Sequence, residues 1–237
     1  MKQILNTLLV VLFLGGLSSC SSSVSNEKKN SKKEHDDKTL SYSDTTVIEN
    51  QIWTKNLNTR TFRNGDSIPL VSDPRQWYEM GVAKQPACCY VSNNSNLGLS
   101  YGLLYNFYAV NDIRGLAPVG FHVASESDWM QLHFNLGGNE AAKYAMISAI
   151  EWQNELPEHA PPFIPSRFNV LFGGYRDDFG NFKPAGKSTR YWTSTPSSSD
   201  YARFIDMNQG NPFELNGWHK SRGHYVRCVM DSLPQEN

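Results

Sequence analysis

The chain lacks a hydrophobic run long enough to cross a bilayer. Its apolar stretch from Ile4 to Leu14 falls well short of the ~20 residues that a membrane helix requires. It also lacks a charge excess. Lys and Arg number 22 against 23 Asp and Glu, for a net charge of -1 over 237 residues. No basic patch interleaved with aromatics occurs, which argues against a nucleic-acid partner. The six histidines show no metal-ligand spacing. His219 and His224 flank a turn and have no cysteine or carboxylate at zinc distance, so neither a metal nor a cofactor is expected. Gly98-Leu99-Ser100-Tyr101-Gly102 fits the Gly-x-Ser-x-Gly pattern of a hydrolase nucleophile elbow. It follows the loop-like Asn93-Asn94-Ser95-Asn96 rather than a hydrophobic strand, and no His-Gly-Gly run exists for an oxyanion loop. The glycines are better read as shaping a turn before Tyr101. Glu151, Glu155, Glu158, Asp177 and Asp178 read as solvated faces, with Asp177-Asp178-Phe179-Gly180 as a hairpin tip. No catalytic residue is assigned.

The N-terminus carries more information. Lys2, the short apolar run, Gly15-Gly16 and then Leu17-Ser18-Ser19-Cys20 have the layout of a secretory signal. A cysteine directly after Leu-Ser-Ser resembles the bacterial lipobox, in which the thiol is acylated and becomes the first mature residue. The expectation is therefore a signal peptide over residues 1–19 and a lipid-anchored Cys20. Anchoring by more than one acyl chain, of the palmitate kind, is stable rather than reversible. Localisation follows as the cell envelope, with the outer membrane as default and either face allowed. Loss of Lys2 with the signal leaves a net charge of about -2. Residues 20–45 read as a tether. Ser21 to Lys38 contains one aliphatic residue, Val24, too little apolar surface to offset the entropy of ordering.

From residue 46 to 232 the texture is that of one domain, with 233–237 as a tail, and roughly 190 residues suffice for an ordinary core. Val47 to Trp53 and Arg60-Thr61-Phe62 read as short strands. Asn64-Gly65-Asp66 reads as a turn. Tyr101 to Val110 puts Leu103, Leu104, Phe107 and Tyr108 on one helical stripe, although its aromatics also suit a strand. Ser125 and Asp128 form a capping-box signature at the head of a helix over Glu126 to Leu136. Trp129, Leu132 and Leu136 repeat along it, and Gly137-Gly138 closes it. A second helix is expected over Glu140 to Ile150. Strands are expected at Phe168–Tyr175, Tyr191–Thr195, Ala202–Met207 and His224–Met230. Helices followed by a long antiparallel region give an α+β class.

Several blocks occur in a recognisable order. Trp53 with Asn56-Leu57-Asn58 is followed by Tyr101-Gly102-Leu103-Leu104-Tyr105-Asn106-Phe107-Tyr108-Ala109-Val110. Pro118 to Ser125 comes next, with Asp128-Trp129. Gly173-Gly174-Tyr175-Arg176, Tyr191 to Thr195, and Tyr225-Val226-Arg227-Cys228-Val229 complete the set. This resembles the Fibrobacter succinogenes major paralogous domain, found in lipoproteins of Bacteroidetes-type bacteria, over roughly residues 47–231. That family is distantly similar to the formylglycine-generating enzyme and C-type lectin folds. The resemblance implies a single lectin-like α+β domain with two helices, a small twisted, mostly antiparallel sheet and long loops. It implies no established activity. The family's Cys-Pro-x-Gly-Trp-His-x-Pro block here has Ala117, Phe121 and Ala124 at the departing positions. The cysteine pair of formylglycine-generating enzymes is reduced to Cys228. The Glu-Pro-Asn, Gln-Pro-Asp and Trp-Asn-Asp motifs of calcium-dependent lectins are absent.

An acylated Cys20 leaves Cys88, Cys89 and Cys228, an odd number for an oxidising compartment. Adjacent cysteines pair poorly. Cys89-Tyr90 matches the family's Cys-aromatic position, which implies a Cys89–Cys228 disulfide. The alternative is that all three are reduced and buried. For ligand binding, Trp218 stands out, because it lies in the turn-rich Asn216-Gly217-Trp218-His219-Lys220, where an exposed aromatic suggests function. Tyr191, Trp192, Tyr201 and Phe213 are further candidates for a glycan-stacking platform, although a core position is the better reading of Trp192. His122 is a candidate polar contact, with a buried imidazole bonded to backbone as the alternative. The resulting expectation is a non-enzymatic cell-envelope lipoprotein whose domain binds a glycan or an envelope protein through the loops between residues 176 and 224. A structural or adhesin component and an enzyme acting on envelope polymers are the other two readings.

Overall fold

In the computed structural model of the chain, the described residues are 44–152, 168–208, 210 and 213–231, within a unit that spans Lys38–Asn237. The expected signal segment, Cys20 and the expected tether lie outside them, as do Glu155 and Glu158. Among the described residues no helix is long and apolar enough to cross a membrane.

The first block is a hairpin rather than one strand. β1 (Thr45–Ile48) and β2 (Gln51–Thr54) pair antiparallel, because Glu49 adopts a left-handed φ of 50° and reverses the chain. Arg60 to Phe62 contributes only an isolated bridge, Thr61 to Ser67. It is closed by the expected Asn64-Gly65-Asp66 turn, with Gly65 at φ 91°. α1 (Pro74–Val82) starts with Asp73 accepting from the Gln76 amide and with Pro at its first turn, a favourable helix start.

β3 (Cys88–Tyr90) pairs with β4 (Leu103–Tyr105), and the one-turn helix α2 (Gly98–Tyr101) lies between them. Gly102 sits at φ 75°, and a Cβ there would meet the Leu57 carbonyl oxygen at 2.6 Å. This break is why Tyr101 to Val110 is not one helix: strand β4 gives way at Asn106 to the short α3 (Phe107–Val110). After β5 (Phe121–Val123), the capping box forms as expected. The Ser125 hydroxyl accepts from the Asp128 amide at 3.2 Å, and the Asp128 carboxylate accepts from the Ser125 amide at 2.8 Å. It opens α4 (Glu126–Asn135), and α5 (Asn139–Met146) follows.

The remaining strands are β6 (Tyr175–Arg176), β7 (Phe182–Lys183), β8 (Ser188–Pro196), β9 (Tyr201–Asn208), β10 (Glu214–His219) and β11 (Cys228–Met230). Phe168 to Tyr175 does not form a continuous strand. Gly174 is left-handed at φ 71°, and a Cβ on it would run into the Lys183 carbonyl oxygen.

Two sheets carry most of the fold. One has the order β1-β2-β11-β5, the other β10-β9-β8, and two ribbons, β3-β4 and β6-β7, flank them. All named strand pairs are antiparallel. With five α-helices among the described residues, the class is α+β. Tyr191, Ile205 and Met207 face one apolar cluster around Trp53, Trp129 and Phe168. Trp192, Ala202 and Phe204 face a second around Tyr105, Phe107 and Val226. The β8-β9 ribbon is therefore buried on both faces.

The stretch before β11 joins these parts. Gly223 exchanges two backbone hydrogen bonds with Arg176, and His224 exchanges two with Tyr105. The Tyr225 amide donates to Arg190, its carbonyl accepts from Trp192, and the Val226 carbonyl accepts from Leu57. Only Cys228–Met230 of the expected His224–Met230 strand lies in a ladder, because residues 223–226 are shared among several partners.

Candidate functional site

On β9 and β10, Ala202 lies opposite Trp218 and Phe204 opposite Asn216, while on β8 Trp192 lies opposite Phe204 and Arg190 opposite Asp206. Paired residues share a face of an antiparallel ribbon. One face thus runs from the buried Trp192 outwards to Trp218, which is 46% exposed.

Two arginines cover this face. Arg190 lies 3.8 Å above the Tyr175 ring and 5.1 Å from the Phe204 ring. Its guanidinium is held by Asp206, with Nε at 3.0 Å and the second contact at 2.8 Å. Arg222 stacks 4.2 Å from the Trp218 ring centroid and donates from Nε to Asp178 at 3.2 Å. A guanidinium over a π-face is attracted by the ring quadrupole. Here it also fixes the plane of a half-exposed indole.

The scaffold beneath is pinned by Arg176, whose side chain is fully buried. It donates to the Gly180 carbonyl at 2.9 Å, to Val71 at 2.6 Å and to Ser72 at 2.9 Å, and stacks between Trp77 and Phe182. Its backbone is bonded to Gly223. One residue thus ties the β6-β7 tip and the entry to α1 through its side chain, and the loop carrying Arg222 through its backbone. The tip is the hairpin turn expected at Asp177-Asp178-Phe179-Gly180, with the Asp177 carboxylate accepting from the Phe179 and Asn181 amides. Burial raises the Asp177 pKa, but hydrogen bonds from Asn181, together with Lys183, outweigh it and hold the carboxyl below its usual range.

His224 lies under the arginines, fully buried and stacked 4.1 Å from Trp192. Neither ring nitrogen has a hydrogen-bond partner among the described residues. Burial, with Arg190 and Arg222 nearby, drives its pKa well below the usual histidine value.

The other sequence candidates scatter. Tyr191 and Trp192 are fully buried. Trp192 donates its indole N–H to the Tyr105 carbonyl at 2.9 Å, and Tyr191 packs against Trp129. Their π-faces are spent on the core, which corrects the expectation that they form a stacking platform. Tyr201 pairs with His219, on the ribbon face opposite Trp218, and Phe213 stacks on His133. Trp218 therefore has arginine rather than the expected aromatics beside it.

His122 lies elsewhere, on β5, bonded from Nδ1 to Asp231 at 2.8 Å and from Nε2 to Asp128 at 3.1 Å. It is a half-exposed bridge between two carboxylates, not an imidazole bonded to backbone. Burial lowers its pKa, but Asp231 and Asp128 together raise it above the usual value. Ser100 is exposed on one-turn α2, preceded by a 3-10 turn over Ser95–Leu97, so the strand that a nucleophile elbow needs is absent at that place.

The implied Cys89–Cys228 disulfide is not made. Cys88, Cys89 and Cys228 are free and buried, with Cys89 in the first apolar cluster and Cys228 in the second. Burial pushes Cys88 up to about 12 and Cys89 to about 11, and raises Cys228 as well. Among the described residues no group of His, Cys, Asp and Glu side chains could hold a metal ion.

The fold and its arginine-backed aromatic face define a small-sheet α+β domain built around one fixed, half-exposed tryptophan. The chain belongs to the Fibrobacter succinogenes major domain family, whose family model matches residues 47–230. Comparison with curated proteins and with solved structures finds no match.

Proposed function

We propose that this chain is a non-enzymatic binding module of the bacterial cell envelope, acylated at Cys20, carried at the outer membrane on its charged tether, and recognising a glycan at Trp218 through a lectin-like domain. The observation that carries the reading is Trp218 itself: half-exposed, with Arg222 stacked on it. An indole pre-set in this way offers a π-face to the electropositive C–H face of a sugar ring, with little ordering entropy left to lose.

The test is binding of the purified full chain in detergent to a glycan array, with Trp218→Ala alongside. Loss of binding with unchanged circular dichroism supports the reading, and full retention of binding overturns it. Trp and Arg are also typical anchors of protein interfaces. Co-purification of a single envelope protein that depends on Trp218, with no glycan bound, would favour a protein partner and an adhesin-like role. Labelling with a palmitate analogue, lost in Cys20→Ala, checks the anchor.

A further inference from the structure

Trp218 does not stand alone on its surface. Asp178, which holds Arg222, is followed in sequence by Phe179, 64% exposed, which stacks on Tyr78 of α1, 47% exposed. The two rings are 6.1 Å apart and nearly parallel, at 10°. A continuous band results: the Trp218 indole, the Arg222 guanidinium, the Asp178 carboxylate, then the Phe179–Tyr78 pair. Its parts come from β10, the loop after it, the β6-β7 tip and α1; the Arg176 side chain joins the tip to the entry of α1, and its backbone joins them to the loop at Gly223. A Cβ on Gly180 would meet the Pro74 backbone at 2.5 Å, so the tip sits directly on the start of α1.

We infer that this band is the binding site of a neutral oligosaccharide long enough to lie across both aromatic platforms, one sugar ring on Trp218 and another on Phe179–Tyr78, with hydroxyls of the chain on Arg222 and Asp178 between them. The inference rests on the glycan reading above and sets the ligand's charge and minimum length. The ion pair uses one nitrogen of Arg222 and one oxygen of Asp178. The guanidinium Nη groups and the second carboxylate oxygen have no protein partner among the described residues. A donor beside an acceptor matches a hydroxyl, which both accepts and donates. Carboxylate and guanidinium cancel, so neither an anionic nor a cationic ligand gains from the pair. The path from Trp218 to Phe179 crosses a guanidinium, a carboxylate and a peptide unit, more than one sugar ring covers.

The experiment is calorimetric titration of the full chain in detergent with neutral gluco-, xylo- and manno-oligosaccharides, from disaccharide to hexasaccharide, and with their uronic-acid counterparts. Affinity should rise roughly tenfold once the chain reaches the second platform, the scale of one added aromatic contact. Binding should change little with salt, since no net charge is engaged. Phe179→Ala and Tyr78→Ala, both at exposed positions, should remove that increment and leave short ligands unaffected, while Trp218→Ala weakens all lengths. Affinity independent of length, preference for the acidic sugars, or unchanged binding in Phe179→Ala and Tyr78→Ala would overturn this inference and leave the Trp218 reading standing. Absence of binding to every sugar would overturn both.

Discussion

Arg176→Ala is expected to be among the most damaging single substitutions in the domain. The side chain is fully buried and gives three hydrogen bonds to backbone carbonyls, at Gly180, Val71 and Ser72. A hydrogen bond to a charged group contributes a net of about 1.5–3 kcal/mol. The Ser72 carbonyl keeps a second donor, the Asn93 side-chain amide at 2.9 Å, so its loss is cushioned. Among the described residues the Val71 and Gly180 carbonyls are left with no donor, at about 1–3 kcal/mol each for an unsatisfied buried acceptor. The packing between Trp77 and Phe182 goes as well. These contributions overlap, and a loss of about 3–5 kcal/mol is the reasonable total.

For a domain of this size the corresponding fall in Tm is about 10 °C, at roughly 2–4 °C per kcal/mol. Urea unfolding followed by near-UV circular dichroism measures the free-energy loss, and a thermal melt followed the same way measures the fall in Tm. Arg176→Lys keeps the charge but cannot fork to three carbonyls, and should recover only part of the loss. A loss below about 1 kcal/mol in Arg176→Ala, or full stability in Arg176→Lys, would refute the view that this guanidinium clamps the site.

Gly180→Ala should cost about 2–4 kcal/mol by the same assay, since the residue is at φ 87° and its new methyl would meet Pro74 backbone. Cys88, Cys89 and Cys228 should resist a thiol reagent at pH 8 until denaturant is added, then react together, as intact-mass measurement will record; rapid native labelling would contradict their burial and raised pKa values. His122→Gln should destabilise below the unfolded histidine pKa of about 6.5 and do progressively less as pH rises through the raised folded value, by under about 1 kcal/mol because the ring is partly solvated. His224→Gln should flatten the loss of stability on acidification below about pH 6.5, read from urea midpoints across pH.

Much of the fold is legible in the sequence where a local signal and the tertiary context agree. The Ser125/Asp128 capping box, the Asn64-Gly65-Asp66 turn and the Asp177 hairpin tip are short-range chemistry, and each forms as the residues specify. Strand lengths are misread where a left-handed residue interrupts an apolar run. Glu49 splits one expected strand into a hairpin, Gly102 ends a would-be helix, and Gly174 shortens another strand. In the site, Trp218 is readable because it is an aromatic in turn-rich sequence. Its partners are not, since Arg222, Asp178, Phe179 and Tyr78 meet only through long-range packing. A signal was nonetheless present: Arg176 sits in a patterned Gly-Gly-Tyr-Arg block, where a charged residue among core positions implies a buried cation with work to do. Tyr191 and Trp192 mislead for the opposite reason, because consecutive aromatics on a ribbon buried on both faces look the same as a platform.

Among the histidines with shifted pKa values, His122 and His224 push the pH dependence of stability in opposite directions, and burial decides which of them dominates. His122 gains carboxylate partners, so its folded pKa is raised and it stabilises the acid side. That ring has 43% of its side chain exposed, which limits the effect to the weak range of surface pairs. His224 is fully buried beside Arg190 and Arg222, and its folded pKa is depressed. Below about 6.5 the unfolded chain takes up a proton at this position that the folded chain refuses, and stability then falls by up to about 1.4 kcal/mol per pH unit. The fully desolvated group outweighs the half-solvated one. These two groups therefore make the domain lose stability on mild acidification, because the unfolded chain gains a proton at an imidazole that the fold keeps neutral beneath Tyr175, Arg190 and Arg222.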